Sequence, residues 1–240
     1  MYILSNRLKI FSLSLIILGA IGWSYSYVES HKTLDQVKEM LMHESHHGSS
    51  HGDQTAHMDQ VNESHHNDSH KSSHEDEHAE HVMHQIHNRP YAALYVAAFF
   101  FMMISLGVLA FYAIQYASQA GWSPVLFRVM QAITYYLLPG ALIVLGIALF
   151  ADKHIFIWMD PDVVAHDKII QGKSSWLNKS AFLIRGLIFI GGWSLYRYFS
   201  RKFSLAQDLA KDNKNFKRNF QISAGFLVFY IYTESMMSWD

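Results

Sequence analysis

The chain has 240 residues, 50% of them hydrophobic and 16% charged, with a formal net charge of −1 and a mean hydropathy of only +0.04. Cysteine is absent, which excludes disulfides, thiolate iron–sulfur ligation and the C-x-x-C-H attachment of a c-type haem. The average conceals a segregation: charges and histidines crowd into a few stretches, and between them lie apolar runs able to cross a hydrocarbon core of about 30 Å, which takes about 20 helical residues.

The first run, Ile10 to Tyr27, follows Arg7 and Lys9 and is closed by Trp23, Tyr25 and Tyr27. A cleaved signal peptide would share that charge pattern, but no clear A-x-A site follows, so the segment is expected to be retained as a span. Fourteen of the 16 histidines then lie between His31 and His87, among Glu, Asp and Ser with little that is apolar. Such a composition cannot build a core, so residues 31–90 read as a largely disordered loop, with nascent helix where residues such as Asp76 to Ile86 permit. Within it His70, His74, His78 and His81 are spaced 4, 4 and 3 apart. On a helix they would share one face able to take Zn(II), Cu(II) or Ni(II), against the plainer reading of a solvated linker.

The second run, Tyr91 to Ala117, carries no charge and ends on the aromatic anchors Tyr112 and Tyr116. Ser123 and Pro124 suit the N-cap and N1 of a short amphipathic helix near 121–132, whose apolar face would hold Trp122, Val125, Leu126 and Val129. The third run, Ala132 to Phe150, contains Pro139 and is expected to kink there. In the following connection Asp160, Pro161 and Asp162 open a helix. Asp162 and His166 at i, i+4 could ligate a metal, but capping is the simpler role. The fourth run, Ala181 to Phe199, holds Arg185 about one turn from its outer end, within snorkelling reach, and the fifth runs from near Gln221 to Asp240. Uninterrupted runs without period-2 alternation exclude a barrel, so the fold class is all-α: a polytopic transmembrane helix bundle of about five spans.

With the N-terminus inside, Arg7, Lys9, Arg128, Arg197, Arg201, Lys202, Lys211, Lys214, Lys217 and Arg218 fall on the cytoplasmic side, mostly close to a span, and the His-rich loop falls outside. The one carboxylate deep in a span is Glu234. At 1.5 Å per residue from Gln221 it sits roughly 20 Å into the bilayer, beyond the reach of a short side chain to the headgroups. Tyr230, Glu234 and Ser238 follow at i, i+4, i+8 with Thr233 beside them, a polar stripe able either to pass protons through bound water or to bond a neighbouring helix. His154 and His166 lie in the outer connection, so no pair of imidazoles within spans is available for a haem b. Phosphate-loop, dinucleotide and nucleophile-elbow motifs are absent as well.

Several blocks carry a family resemblance: SQAGWSPVLFRVMQA from Ser118, IFIWMDPDVVAHDKIIQGKSSWLN from Ile155, FLIRGLIF from Phe182, LYRYFSRKFSLAQD from Leu195 and FLVFYIYTESMMSWD from Phe226. From Asn88 onward the chain resembles the ActF-type membrane subunit of alternative complex III, the bacterial quinol oxidoreductase that passes electrons to a cytochrome c or directly to a terminal oxidase. The resemblance implies a bundle related to polysulfide-reductase-type membrane subunits, in the bacterial inner membrane. It also implies a homologous quinol-binding subunit alongside, menaquinol nearby, and periplasmic partners that carry haem c and iron–sulfur clusters. In that family the last block continues into a Trp, Met, Ser and Asp-Pro-His-Trp run and several more helices, so a partial chain or a split protein is expected. Arg185, Glu234 and Asp240 carry over as site candidates. A metal-cation transporter fed by the His-rich loop and a plain assembly scaffold are the competing functions; nucleic acid is not an expected partner.

Overall fold

The computed structural model describes residues 5–47 and 68–239, and of residues 44–47, 68–77 and 162 the backbone only. Among the described residues every regular element is helical. In chain order they are α1 (Asn6–Ser30), α2 (Leu34–His47), α3 (Asp68–Ala117), α4 (Phe127–Ile133), α5 (Leu137–Phe150), α6 (Asp152–Ile155), α7 (Pro161–His166), α8 (Lys168–Gly172), α9 (Lys179–Leu209) and α10 (Lys214–Met237). Three stretches are long and apolar enough to cross a membrane: Asn6–Ser30, His78–Ala117 and Phe127–Phe150. Helices α9 and α10, of 31 and 24 residues, match them in length but carry charges along them. The chain divides into two units, residues 1–92 and 93–240.

In the first unit α1 is apolar all round and none of its most apolar window is buried. Its C-terminal end is where contacts begin. Trp23 stacks on Tyr27 with ring centres 5.6 Å apart, and its Nε1 donates to the Pro90 carbonyl at 3.2 Å. Tyr27 meets Tyr91 edge-on at 6.2 Å. The residues placed at the span boundary by amphipathicity therefore also tie α1 to α3 within this unit. The His-rich connection, read as largely irregular, is helical over Leu34–His47 and again from Asp68. Helix growth explains the second stretch: propagation from an established apolar helix needs no new nucleus, and the Glu, Ala, Gln and Lys of this segment are good helix formers. Residues 48–67 lie outside the described ones.

The second unit is a bundle whose core is written at the helical spacings of three, four and seven. On α3 these positions are Met102, Leu106, Leu109, Ala113 and Tyr116; on α5 they are Leu137, Ala141, Val144 and Ala148. On α9 they are Phe189, Trp193, Tyr196, Ser200 and Ser204, and on α10 Asn219, Ser223, Phe226 and Thr233. Helix α3 stops in a left-handed Gln119, φ 53°, with the Ala120 N–H returning to the Gln115 carbonyl at 3.1 Å, which satisfies an otherwise orphaned end group. The expected helix near 121–132 enters through a 3₁₀ turn, Ser123–Val125, and becomes α4. Ser123 does not cap it. Its side chain is fully buried and its Oγ donates to the Ala120 carbonyl at 2.7 Å. Trp122, Val125, Leu126 and Val129 are all exposed, as an interfacial face requires, while Phe127, Met130 and Gln131 turn inward.

Pro139 acts at a distance of one turn. Lacking an N–H and crowding the carbonyl four residues back, it leaves residue 135 without its α-helical partner, and the chain tightens into a 3₁₀ turn over Thr134–Tyr136. After α5 the short helices α6 to α8 form the connection to α9. Asp167 caps α8 through its Oδ1, 2.7 Å from the Ile169 N–H, and Asn178 caps α9 through the Ala181 N–H at 2.7 Å.

Helices α9 and α10 run back along each other as an antiparallel pair. Tyr196 lies flat on Phe226 with centroids 3.9 Å apart and planes 7° apart. Close approach is possible because residue 192 is glycine: a Cβ there would stand 2.4 Å from the Phe229 ring. Phe226→Ala removes this stack and should cost about 2 kcal/mol, below the about 3–5 kcal/mol usual for buried aromatics because lipid solvates exposed rings as well as the core does. A lowered unfolding midpoint by circular dichroism in detergent is the expected result, with Val228→Ala, at an outward position 72% exposed, leaving it unchanged.

Candidate functional site

The polar stripe expected on α10 is only partly assembled. Thr233 is fully buried and accepts from Trp193 Nε1 at 3.1 Å, so it ties α10 to α9. Tyr230 is half-buried against Phe226, ring centres 6.1 Å apart. Glu234 is half-buried, and its Oε2 is shielded from solvent with no hydrogen-bond partner among the described residues. Ser238 stands just past the helix end, exposed, with its Oγ donating to the Ser235 carbonyl at 2.7 Å. Its backbone is still helical, and its N–H bonds the Glu234 carbonyl at 3.2 Å. Asp240 lies outside the described residues.

Arg185 is drawn outward. Its guanidinium sits 4.4 Å over the Trp176 ring and donates to the Trp176 carbonyl at 2.9 Å, a stacked, hydrogen-bonded perch in the connection before α9. It does not meet Glu234.

A second polar cluster, not anticipated from the sequence, occupies the end of the bundle where α3 finishes and α10 begins. Asn219 is 1% exposed. Its Nδ2 donates to the Ser200 carbonyl at 3.2 Å and to the Tyr112 hydroxyl at 3.4 Å, and its Oδ1 accepts from Ser200 Oγ at 2.8 Å. The Tyr112 hydroxyl also accepts from Gln131 Nε2 at 3.0 Å, and Gln131 Oε1 accepts from Arg128 at 2.8 Å. Arg128 in turn pairs with Asp208 at the rim. One turn further into the bundle, Tyr196 and Ser223 share a hydrogen bond of 2.8 Å. The signal was present as Ser200/Ser204 and Asn219/Ser223, polar pairs at i, i+4 on core-facing stripes, where a uniformly apolar face would otherwise be expected.

The opposite end carries an ion pair between Asp152 and Lys179 at 2.5 Å, and the Lys153 N–H adds a 2.9 Å bond to Asp152 Oδ1. The Lys179 hydrogen bond, then the backbone bond and the nearby lysine charges, hold the Asp152 carboxyl below its ordinary value, with desolvation opposing them. A depressed folded value means that the pair's contribution is fully present above the unfolded carboxylate value and is lost as pH falls through the folded one. For a partly exposed pair this is at most about 1 kcal/mol.

Between α3, α5, α9 and the connection lies an apolar cavity of about 240 Å³, walled by Phe99, Val144, Phe156, Phe182, Ile190 and Trp193 among others. That volume is below the about 300 Å³ at which small-molecule sites usually begin.

His78 and His81 are exposed, and His81 Nδ1 lies 3.2 Å from Gln85 Nε2. The side chains of His70, His74 and Asp162 are outside the described set, so neither the four-histidine face nor the Asp162–His166 pair can be followed further. Among the described residues no three His, Cys, Asp or Glu side chains gather into a metal-sized group. No protein-family model matches this chain, and no curated protein matches it.

Two outcomes follow from the geometry. Asn219→Leu removes three interhelical bonds, each worth about 0.6 kcal/mol in a membrane setting, so a loss of about 2 kcal/mol should appear as a lowered thermal midpoint in detergent. Asp152→Asn should flatten the acid limb of a stability titration below the ordinary carboxylate value while leaving the neutral plateau within about 1 kcal/mol.

Proposed function

We propose that the chain is a non-haem membrane subunit of a respiratory quinol:acceptor oxidoreductase of the alternative complex III type, with electron transfer carried by partner subunits. In this reading α9 and α10 are the fourth and fifth spans. Their outward faces support it: Ile184, Leu187, Leu195, Val228 and Ile231 are all more than half exposed, as side chains that meet lipid or another subunit would be.

The observation that carries the proposal is the convergence of the resembling blocks inside one bundle. Arg128 and Gln131 from the first block hydrogen-bond to each other. Ser200 and Asp208 from the fourth join the same cluster, and Thr233 of the last bonds Trp193. The residues of these blocks therefore do structural work together, as the interior of a membrane subunit would. The chain itself has no cysteine, and beyond residue 90 its histidines are His154 and His166, both in the outer connection. Haem c and iron–sulfur clusters accordingly belong to the partners, as does a quinol-binding subunit packed alongside.

Basic residues support an N-in orientation, with the His-rich connection periplasmic. Arg128, Arg201, Lys202, Lys211, Lys214, Lys217 and Arg218 cluster at the end of the bundle where α9 turns into α10. The subunit's role is first structural. The chemistry open to it is proton movement, with Glu234, Tyr230 and Ser238 as the groups to test, while Arg185 is engaged by Trp176.

Affinity purification of the tagged protein from native membranes in mild detergent should bring down c-type haem absorbance with several partner subunits. A solitary chain loaded with Zn(II), Cu(II) or Ni(II) would instead establish the metal-cation transporter. Within the intact assembly, Glu234→Gln should diminish any proton movement coupled to quinol oxidation; unchanged coupling removes the proton role and leaves the subunit assignment standing.

A further inference from the structure

Arg197 of α9 is held in an unusual position. Its guanidinium lies 4.8 Å over the Tyr135 ring, which fixes its plane, while Nε and Nη2 are shielded from solvent with no acceptor among the described residues. Those two N–H groups form the side edge of the guanidinium, the edge that converges on a single acceptor. Leaving two charged donors buried without one is costly.

Beside them is a small cavity lined by Tyr112, Gln131, Thr134, Arg197, Ser200 and Arg201. Its volume is about 10 Å³, near the space of one water-sized sphere. Two of the three hydroxyls in its wall have already used their hydrogens: Thr134 Oγ1 donates to the Gln131 carbonyl at 3.0 Å and Ser200 Oγ to Asn219 Oδ1 at 2.8 Å, while the third, Tyr112, accepts from Gln131 and Asn219. What Thr134 and Ser200 present to the cavity is lone pairs.

We infer that this cavity is a binding site for one ordered water, which accepts from Arg197 Nε and Nη2 and donates to Thr134 Oγ1 and Ser200 Oγ. Two arginines in the wall would at first sight favour a small anion. An anion accepts from the guanidinium equally well, but it cannot donate, and it would face the lone pairs of two hydroxyl oxygens whose hydrogens are committed elsewhere. Water alone of the two matches donors and acceptors on all four sides. The water joins Arg197 to the Asn219 cluster and makes the guanidinium a part of the same hydrogen-bonded unit. The inference is independent of the functional reading above.

A crystal structure of the full-length protein at a resolution that shows ordered solvent tests it. The expected result is one peak about 3 Å from both Arg197 nitrogens, with no anomalous signal there after exchange into bromide. In Thr134→Val, which keeps the volume and removes an acceptor, the peak should be lost. An empty cavity, an anomalous bromide peak, or an undiminished peak in Thr134→Val would each overturn the proposal.

Discussion

Asn219 is where four helices of the bundle are held together. From α10 it grips Ser200 on α9 with two hydrogen bonds and reaches Tyr112 on α3, whose hydroxyl in turn receives Gln131 of α4. Lipid offers a packed helix no hydrophobic reason to leave it, so association depends on close packing and on polar groups that find each other. One amide, almost wholly buried, settles the mutual rotation of these helices more strictly than the apolar contacts around it, because a small rotation leaves methyl groups in contact but breaks a hydrogen bond.

The α9–α10 pair applies the same rule along its length. Ser200–Asn219, Tyr196–Ser223 and Trp193–Thr233 succeed one another as polar rungs, with the Tyr196–Phe226 stack among them. Each rung joins a hydroxyl, an amide or an indole on one helix to a polar group on the other. Glu234 stands at the far end of this ladder with a carboxylate oxygen shielded from solvent and without a hydrogen-bond partner among the described residues.

Much of the architecture is legible from local pattern. The apolar runs became helices, Trp23 and Tyr27 mark the end of α1, and the consequence of Pro139 is visible one turn upstream. These features depend on residues close in sequence. The Asn219 cluster was legible only in part: polar pairs at i, i+4 stand on α9 and α10, but Tyr112 and Asn219 are 107 residues apart and no local pattern joins them. Ser123 was misplaced for a related reason. A serine before a proline suits a cap, but burial and the bond to the Ala120 carbonyl override it. Within the His-rich connection helix was expected only around Asp76 to Ile86 and begins already at Asp68, because composition reports the cost of forming a core and not the ease of extending a helix already begun.

The 3₁₀ turn before Pro139 has a consequence for the geometry of α4 and α5 taken as one rod. Phe127, Thr134, Ala141 and Ala148, each seven residues from the next, are all buried. On a straight α-helix a seven-residue repeat drifts by about 20° per heptad, so three heptads would carry Ala148 about 60° off the line set by Phe127. A 3₁₀ turn advances each residue by about 120° instead of about 100°, and three such residues, Thr134 to Tyr136, return about 60°. The proline-induced tightening therefore cancels the drift, and the helix keeps one inward line from end to end without having to supercoil.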